Sequence, residues 1–558
     1  MNQIYLGNEE KVYLCEYLCE NSNKSLIILP NIGWYHTGPN RLFPNLAKLC
    51  NDEHINVFSF DYIGSGESYG TYEDMTYEKM KESFLNTYHY IMQNYNTSIF
   101  VIGFGAGNIL LKDLADNYHF DGVIYYLPKF ENILKYKEDV LNDQVAKQNG
   151  FYNIQVTKDP SDYVFWRSIL GEIHDCTYNP VSYHLVNELC SSLEQNKSKK
   201  SLIKHVMLIQ DSDTEDKKED YNYLIVPEFK DNVVPADWYK TVNLWPDTLL
   251  SVNLKIAEWL KNLSMEPIKT DEKEQIISTH RFNTQNGSRE IIQFDSDGRK
   301  LFGILHLPVN RTKKVPCIIF IPGLGGDKVD NFMCGPRLAD YASKNDIAMF
   351  RYDNRYSGAT ASPLTEYTNT GIAEDFKNAY DALQRFDDVI DRDNIILVSW
   401  SNGAKLSSYV VSQKKYNIKM CIFWNAVFID VNIEQKYKDK ENMGRNMTRY
   451  KKNRYGQLVT QIGGEYLGML YNRDNRKFNF TELFQNVDVP KKYVWGDNDM
   501  DSFEYQYVSK NEMDAKSFLL SSKHHLFSYE SINAVINATI NFIKEEFKKT
   551  IKQIDRRE

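Results

Sequence analysis

Short apolar runs of strand length recur along the chain and alternate with longer amphipathic stretches. Residues 25–30 (SLIILP) and 317–322 (CIIFIP) are almost wholly apolar, and each run leads into a glycine-containing turn. Amphipathic stretches occupy residues 77–94 and 371–384. Strands that alternate with helices imply βαβ units, and strands without polar alternation are typical of a parallel sheet covered on both faces. The pattern therefore predicts an α/β fold.

The same pattern occurs twice, in the same order, in the two halves of the chain. Pro30 and Pro322, which end the apolar runs, are 292 residues apart (322 − 30). Asp61 and Asp353, which each end the following strand, are also 292 residues apart (353 − 61). We therefore predict two tandem α/β domains, each a mostly parallel sheet flanked by helices.

The domain boundaries follow from the polar stretches between these patterns. The predicted segments are a first domain at 1–264, a polar linker at 265–276, a second domain at 277–547 and a charged tail at 548–558. The second domain is predicted to begin with a hairpin that turns at residues 295–298 (DSDG), because an Asp-Gly turn between apolar-rich runs is a strong hairpin signal.

Composition narrows the functional classes. The 558 residues carry a formal net charge of −9, which argues against a nucleic-acid partner because phosphate contacts need clustered Lys and Arg. The first 14 residues lack the pattern of a signal peptide, and no apolar run is long enough to span a bilayer. The eight cysteines lack Cys-x-x-Cys spacing, so we expect reduced thiols in a cytoplasmic protein without a metal or a cofactor.

A candidate nucleophile lies in the second half of the chain. The segment SWSNG (residues 399–403) follows an apolar strand and precedes a helix-like stretch, which places Ser401 on a sharp strand-to-helix turn. Such a turn needs small residues two positions before and after the nucleophile, and Ser399 and Gly403 meet that need. A Ser hydroxyl is a poor nucleophile until a hydrogen-bonded base takes its proton, so an acid and a His are expected elsewhere.

This arrangement resembles the nucleophile elbow of the α/β-hydrolase superfamily. The segment RYDNRYSG (351–358) is similar to a stretch of its serine aminopeptidase, monoacylglycerol lipase and feruloyl esterase branch, although Tyr356 stands where that branch usually has Gly. The resemblance covers most of residues 277–547. It implies the chain order Ser, acid, His, and two backbone N–H groups that stabilise the oxyanion, here those of Leu324 and Asn402.

The same resemblance assigns the two remaining catalytic residues. A strand that ends in Gly-x-x-Asp places the acid at Asp499, with Asp497 and Asp501 as nearby alternatives. A later loop with His-x-Phe places the base at His525, and the neighbouring His524 is the alternative. The other histidines of the second half precede the Ser in the chain.

The family also places a cap in this region, here at about residues 428–486. Basic residues between 436 and 454 leave two interpretations open, a lid that recognises an acidic acyl donor or a solvated helix face. Three functions remain open for the chain. It could hydrolyse an ester, thioester or amide of a small-molecule or carrier-bound acyl substrate, it could transfer that acyl group to another acceptor, or it could be a non-enzymatic scaffold. The sequence does not indicate an oligomeric state.

The first half repeats the fold pattern without the nucleophile. Its elbow segment is GFGAG (103–107), so Gly105 stands at the nucleophile position. The acid turn is kept, with Asp213 at the place of Asp499, but no His occurs between His205 and His280. A dinucleotide-binding loop is disfavoured because Asn108 stands where the third Gly is needed. We therefore expect a pseudo-hydrolase domain that covers the active site, binds a partner or substrate, or only stabilises the second domain.

Overall fold

The computed structural model separates the chain into two compact units. The first unit comprises Met1–His280 with Ile462–Glu465, and the second comprises Arg281–Gln461 with Tyr466–Glu558. The structure describes residues 1–128, 151–152, 181–196, 203–213, 217–218, 220–228, 246–265, 275–309, 312–330, 333–360, 362–429, 451–462, 465–496, 502–511, 517–520 and 529–554.

Each unit alternates strands and helices along the chain. The strands in the first part are β1 (Asn2–Leu6), β2 (Val12–Tyr17), β3 (Lys24–Leu29), β4 (Ile55–Phe60), β5 (Ser98–Phe104), β6 (Gly122–Tyr126), β7 (Phe151–Tyr152), β8 (Val181–Ser182), β9 (His205–Gln210), β10 (Tyr221–Ile225) and β11 (Ser278–Thr279). The helices are α1 (Leu42–Asp52), α2 (Tyr77–Asn94), α3 (Ala106–Leu114), α4 (Tyr183–Gln195) and α5 (Pro246–Asn262). Short 3₁₀ segments occur at Pro39–Arg41 and Tyr72–Asp74.

The remainder of the chain follows the same scheme. Its strands are β12 (Arg281–Thr284), β13 (Gly287–Ser296), β14 (Arg299–Pro308), β15 (Val315–Ile321), β16 (Ala348–Tyr352), β17 (Ile390–Trp400), β18 (Ile418–Trp424), β19 (Lys451–Lys452), β20 (Leu458–Ile462), β21 (Glu465–Gly468), β22 (Lys491–Gly496) and β23 (Ser517–Leu520). Its helices are α6 (Cys334–Ser343), α7 (Asn369–Ala382), α8 (Gly403–Ser412), α9 (Met469–Asn475), α10 (Phe480–Gln485), α11 (Phe503–Asn511) and α12 (Tyr529–Ile554). The last helix continues into the segment that the sequence assigns to a charged tail. Short 3₁₀ segments occur at Leu364–Glu366 and Leu383–Phe386.

Among the described strands, nine form one sheet in each unit, and the two sheets have the same order. The first reads β10-β9-β6-β5-β3-β4-β2-β1-β11, and the second reads β23-β22-β18-β17-β15-β16-β14-β13-β12. In the first sheet, the strands from β10 to β4 are parallel, and β2 pairs antiparallel with both β4 and β1. In the second sheet, the strands from β23 to β16 are parallel, and β14 pairs antiparallel with both β16 and β13. The predicted α/β fold class and its tandem arrangement are confirmed.

Backbone geometry repeats between the units at a constant spacing. Residues with positive φ recur 292 residues apart, as for Gly33 and Gly325 (325 − 33). The further pairs at this spacing are Gly38 and Asp330, Arg41 and Met333, His54 and Asp346, and Gly66 and Gly358. Because positive φ is uncommon outside glycine, its recurrence at non-glycine positions shows that the two units share loop conformations as well as strand order.

The central strands are buried on both faces, as their unbroken apolar runs predict. Every residue of β3, β4 and β5 is buried, and so is nearly every residue of β15 and β18. Helices α2 and α7 begin at equivalent threonines, since the Thr76 side chain accepts from the Lys79 N–H and that of Thr368 accepts from the Gly371 N–H.

The second unit begins with the predicted hairpin. Strands β13 and β14 pair in register from Gly287–Pro308 to Ser296–Arg299, and Asp297 and Gly298 turn the chain with φ of 50° and 72°. Two positive φ values are the signature of a type I′ turn, which an Asp-Gly pair favours. Within the part of the chain described above, no helix has the length and apolar character needed to cross a membrane.

Candidate active site

Ser401 lies on a tight turn between β17 and α8. Its φ is +50°, and its backbone N–H donates to the carbonyl oxygen of Trp424 on the adjacent strand, over 2.8 Å. The Ser401 carbonyl in turn accepts from the N–H groups of Ala404 and Val427. A residue with a Cβ in this conformation is strained by about 1–3 kcal/mol, and such strain is typical of functional sites. These three bonds hold the turn, and with it the side chain, in one orientation.

The loop after β15 passes directly beside this turn. A Cβ built on Gly323 would lie 3.4 Å from the Cβ of Ser401 and 3.9 Å from its Oγ. A Cβ on Gly403 would lie 2.7 Å from the carbonyl oxygen of Ile321 and 2.8 Å from that of Pro322. Helix α8 can therefore approach the loop only because residue 403 is glycine.

The predicted oxyanion donors are the N–H groups of Leu324 and Asn402. Leu324 occupies the second position of a turn in which Gly326 N–H donates to the Gly323 carbonyl, with Gly325 at φ 77°. Within the ranges that the structure describes, neither the Leu324 nor the Asn402 N–H has a hydrogen-bond partner. Among the described residues, the residue after Ser401 and the residue after Gly323, which packs beside Ser401, thus each have an unengaged backbone N–H.

The side chain of Asn402 does not cap its own helix. It is buried, and its Oδ1 accepts from the Tyr471 hydroxyl over 3.0 Å. Its carboxamide also hydrogen-bonds Tyr367, whose ring meets that of Tyr471 edge to face at 5.6 Å. Burial raises the pKa of the Tyr367 hydroxyl, the neighbouring Tyr471 adds to the rise, and the Asn402 hydrogen bond opposes it. Tyrosines therefore border the site on the side of Asn402.

A buried ion pair supports the loop that carries Leu324. Lys328 donates from its N–H and its Nζ to the two carboxylate oxygens of Asp353, over 3.0 and 2.7 Å, and both side chains are inaccessible to solvent. The first unit has the same contact at the same positions, because the His36 ring and N–H bind Asp61. This pair fixes the beginning of the loop to the end of β16.

Arg351, His306 and Asp340 form a polar cluster that contacts this pair. Arg351 donates to the Lys328 carbonyl and to Nε2 of His306, over 2.5 and 2.8 Å, and His306 Nδ1 lies 3.4 Å from Asp340. Burial lowers the pKa of His306 to about 4, with the hydrogen bond to Asp340 opposing the shift and the charge of Arg351 adding to it. His306 is therefore a neutral acceptor for Arg351 rather than a catalytic base.

The predicted acid and base, Asp499 and His525, lie outside the described residues, as do the alternatives Asp497, Asp501 and His524. The strands that lead to them are described, since β22 ends at Gly496 and β23 ends at Leu520. The Gly496 N–H donates to Asn425 Oδ1 over 2.8 Å, and Asn425 directly follows β18. The assignment of the acid and the base stays a prediction from the sequence.

The first unit has the same strand-to-helix turn with different residues at and around it. Gly105 occupies the nucleophile position at φ 52° between β5 and α3, and a Cβ on Gly107 would lie 2.5 Å from the Leu29 carbonyl oxygen. Asn31 stands where the second unit has Gly323, and it is fully buried. Its Oδ1 accepts from the N–H of Ala106 over 2.8 Å. The donor equivalent to that of Asn402 is therefore engaged by a side chain of the same unit.

Aromatic side chains pack next to this altered turn. The rings of Trp34 and Phe43 lie 6.0 and 5.1 Å from that of Phe104, which precedes Gly105. At the repeat spacing, Trp34 and Phe43 correspond to Gly326 and Gly335 of the second unit. Large apolar groups thus replace two glycines around the degenerate site.

Asp213, the predicted remnant of the acid, follows β9 and is exposed. It forms an ion pair with Lys217 over 2.7 Å, between two side chains that are both about half exposed or more. The structure therefore places Asp213 at the surface, in a contact with a neighbouring residue of its own loop.

Asn31 and Tyr367 were not singled out from the sequence, whereas Tyr471 was noted only as one of the tyrosines of the predicted cap. Asn31 could have been found by aligning the two halves at the 292-residue spacing, which sets it against Gly323. The contacts of the two tyrosines at Asn402 carried no such signal, because they come from segments distant in the chain. Much of the predicted cap, including residues 430–450, lies outside the described residues.

One known family matches part of the second unit. A family model described as the alpha/beta hydrolase fold matches residues 316–500, which begin at the second residue of β15, extend past β22 and include Ser401. No curated protein matches the chain.

Several solved structures are similar to part of the chain. The α/β-hydrolase GrgF from a Penicillium species has 16% identity over 46% of this chain and 98% of its own, with a TM-score of 0.36. Est1E from Butyrivibrio proteoclasticus has 19% identity over 46% and 99%, with a TM-score of 0.36. An acylaminoacyl peptidase from Pyrococcus horikoshii has 16% identity over 47% and 42%, with a TM-score of 0.32.

The matched residues hold the parallel core of the second sheet, and Ser401 stands on the strand-to-helix turn that follows β17. The second unit therefore has the α/β-hydrolase fold, and its residues 316–500 match the model of that family.

Proposed function

We propose that the second unit is a serine hydrolase that cleaves an ester, thioester or amide through an acyl-Ser401 intermediate. The observation that carries the proposal is the environment of Ser401. Its backbone has the strained positive φ of a nucleophile elbow, and the N–H groups of Leu324 and Asn402 beside it are unengaged among the described residues. Positive φ is uncommon at a residue with a Cβ, and such strain clusters at functional sites.

The chemistry follows from these groups together with the acid and base expected from the sequence. His525 takes the proton of Ser401 as the Oγ forms a bond to the acyl carbon, and Asp499 stabilises the resulting imidazolium. The negative charge that develops on the acyl oxygen is stabilised by the Leu324 and Asn402 N–H groups, and one such donor is worth about 10²–10³ in rate. The leaving group departs with the proton, and a water molecule then cleaves the acyl-Ser401 bond by the same steps.

The first unit is proposed to be catalytically inactive. Gly105 offers no nucleophilic atom, and Asn31 already accepts the hydrogen bond from the Ala106 N–H. A tetrahedral oxyanion would have to displace a buried side chain to reach that donor. Both changes act against the same reaction, so the unit keeps the fold without the chemistry.

A fluorophosphonate probe tests the proposal, because it phosphonylates only an activated serine. We expect stoichiometric labelling of the intact protein, loss of labelling in Ser401→Ala, and retention in the control Ser412→Ala at the other end of α8. Absence of labelling in the wild-type protein, or labelling that persists in Ser401→Ala, would contradict the assignment.

The inactivity of the first unit has its own test. Gly105→Ser in the Ser401→Ala background introduces a hydroxyl at the degenerate turn, and we expect the protein to stay unlabelled. A labelled peptide that contains residue 105 would show that the first unit retains a working base and oxyanion donors.

A further inference from the structure

The side chain of Tyr471 on helix α9 contacts the elbow. The Tyr471 hydroxyl donates to Asn402 Oδ1 over 3.0 Å, and the Asn402 side chain is buried whereas Tyr471 is partly exposed. Asn402 is the residue whose backbone N–H borders Ser401. The backbone of Asn402 therefore lies next to Ser401, while its side chain contacts the predicted cap.

Helix α9 is itself firmly held against α7 and α8. Asp474 accepts from the N–H and the hydroxyl of Thr370 over 2.9 and 2.7 Å. Asn475 Oδ1 accepts from Asn369 over 3.1 Å and from Nζ of Lys405, on the first turn of α8, over 3.3 Å. The position of Tyr471 is thus fixed by contacts that do not involve Asn402.

The Asn402 carboxamide is free to respond to this contact because it has no role in its own helix. It occupies the N-cap position of α8 without a side-chain capping bond, although asparagine is one of the residues most favoured for such a bond. In the first unit the corresponding residue is Ala106, whose methyl side chain cannot accept a hydrogen bond, and its N–H is engaged by Asn31. The contact with a cap residue therefore occurs in the unit that carries the nucleophile.

We infer that Tyr471 is a positioning residue for the oxyanion hole, an inference that depends on the proposed hydrolase function. Its hydrogen bond holds the Asn402 side chain and so restricts rotation of the peptide unit that joins residues 401 and 402. That peptide unit carries the N–H expected to stabilise the oxyanion, and a donor stabilises charge only when it points at it. The effect of losing the contact falls on the transition state rather than on substrate binding.

The substitution Tyr471→Phe removes the hydroxyl and keeps the ring against Tyr367. We expect kcat for a chromogenic ester to fall about tenfold with KM within about twofold, because the donor is misaligned rather than deleted. The rate of fluorophosphonate labelling should fall by a similar factor. Tyr409→Phe is the matched control, since Tyr409 is a partly buried tyrosine on α8 that packs on Phe478, and its kinetics should match those of the wild-type protein.

A double-mutant cycle separates positioning from a general structural effect. Asn402→Ala keeps the backbone N–H and removes the acceptor, so Tyr471→Phe should cause no further loss in the Asn402→Ala background. Additive losses, an effect on KM alone, or wild-type rates in Tyr471→Phe would each overturn the inference. A wild-type protein that fails to label overturns the proposed function and this inference together, whereas normal labelling of Tyr471→Phe overturns the inference alone.

Discussion

The side-chain oxygen of Asn31 lies 2.8 Å from the backbone nitrogen of Ala106 and accepts its hydrogen bond. In the second unit the corresponding residues are Gly323 and Asn402, and Gly323 has no side chain that could accept the Asn402 hydrogen bond. The two units therefore differ in whether this backbone donor is engaged, in addition to the difference at the nucleophile position. This difference separates the proposed oxyanion site of the second unit from an equivalent position whose donor is already engaged.

The hydrogen bond between Asn31 and Ala106 should contribute measurably to the free energy of unfolding. Asn31→Ala leaves the buried Ala106 N–H without a partner, and we expect the free energy of unfolding of the first unit to fall by about 1–3 kcal/mol. Chemical denaturation measures the loss. The control Asn8→Ala changes an exposed asparagine and should alter stability by less than about 0.5 kcal/mol. Equal stabilities of the two variants would argue against the contact.

The close approach of α8 to the loop after β15 predicts that Gly403 cannot be replaced. In Gly403→Ala the added Cβ meets the carbonyl oxygens of Ile321 and Pro322 below 3 Å, so we expect a stability loss of about 1–3 kcal/mol together with slower fluorophosphonate labelling. Gly107→Ala introduces the same clash in the first unit. It should lower stability comparably while Ser401 still labels well below the unfolding transition, and full labelling of Gly403→Ala would contradict the argument.

The buried His306 predicts a pH dependence of stability. Its pKa is about 4 in the folded protein against an ordinary value of 6.5, so between these values the unfolded chain binds a proton that the folded protein does not. The free energy of unfolding therefore decreases as pH falls from 6.5 to 4, and the full shift corresponds to about 3 kcal/mol. Below this window both states are protonated at His306 and its contribution becomes constant.

The neighbouring carboxylate of Asp340 does not titrate in the pH range from 6.5 to 4 in which His306 changes the stability. Burial alone would raise the pKa of Asp340, but Arg289 and His306 outweigh it and hold that pKa below its ordinary value of 3.8, so stability linked to Asp340 is lost only at lower pH. Glutamine can replace both hydrogen bonds of the imidazole, and His306→Gln should flatten the profile measured by denaturation between pH 6.5 and 4. His280→Gln, at an exposed histidine, should leave it unchanged, and an unaltered slope in His306→Gln would refute the assignment.

The acid and the base carry a prediction that rests on the sequence alone. His525→Ala should reduce kcat/KM by at least about 10⁴-fold, because a serine without its base is a poor nucleophile, whereas His524→Ala should keep most of the activity. Asp499→Asn should be the most damaging of the amide substitutions at the three nearby aspartates. If ester hydrolysis were lost in His524→Ala rather than in His525→Ala, the base would be His524. A larger loss in Asp497→Asn or Asp501→Asn than in Asp499→Asn would likewise move the acid to that residue.

The fold could be predicted from the sequence because the same apolar runs and turns occur in both halves of the chain. The strands β3 and β15, the elbow at Ser401 and its glycine counterpart at Gly105 all follow from apolar runs and small residues near one another in the chain. The side chains that contact the two elbow turns were harder to predict from the sequence. Asn31 reaches Ala106 only because β3 and β5 are neighbours in the sheet, and Tyr471 reaches Asn402 from a segment 69 residues away. Local periodicity carries no information on such contacts.

The engaged donor of the first unit sets what would be needed to give that unit the proposed chemistry. Serine at residue 105 alone would place a hydroxyl beside an N–H that Asn31 already satisfies. Replacing Asn31 alone would remove a buried hydrogen bond and supply no nucleophile. On the proposed function, a gain of activity in the first unit therefore requires substitutions at both positions.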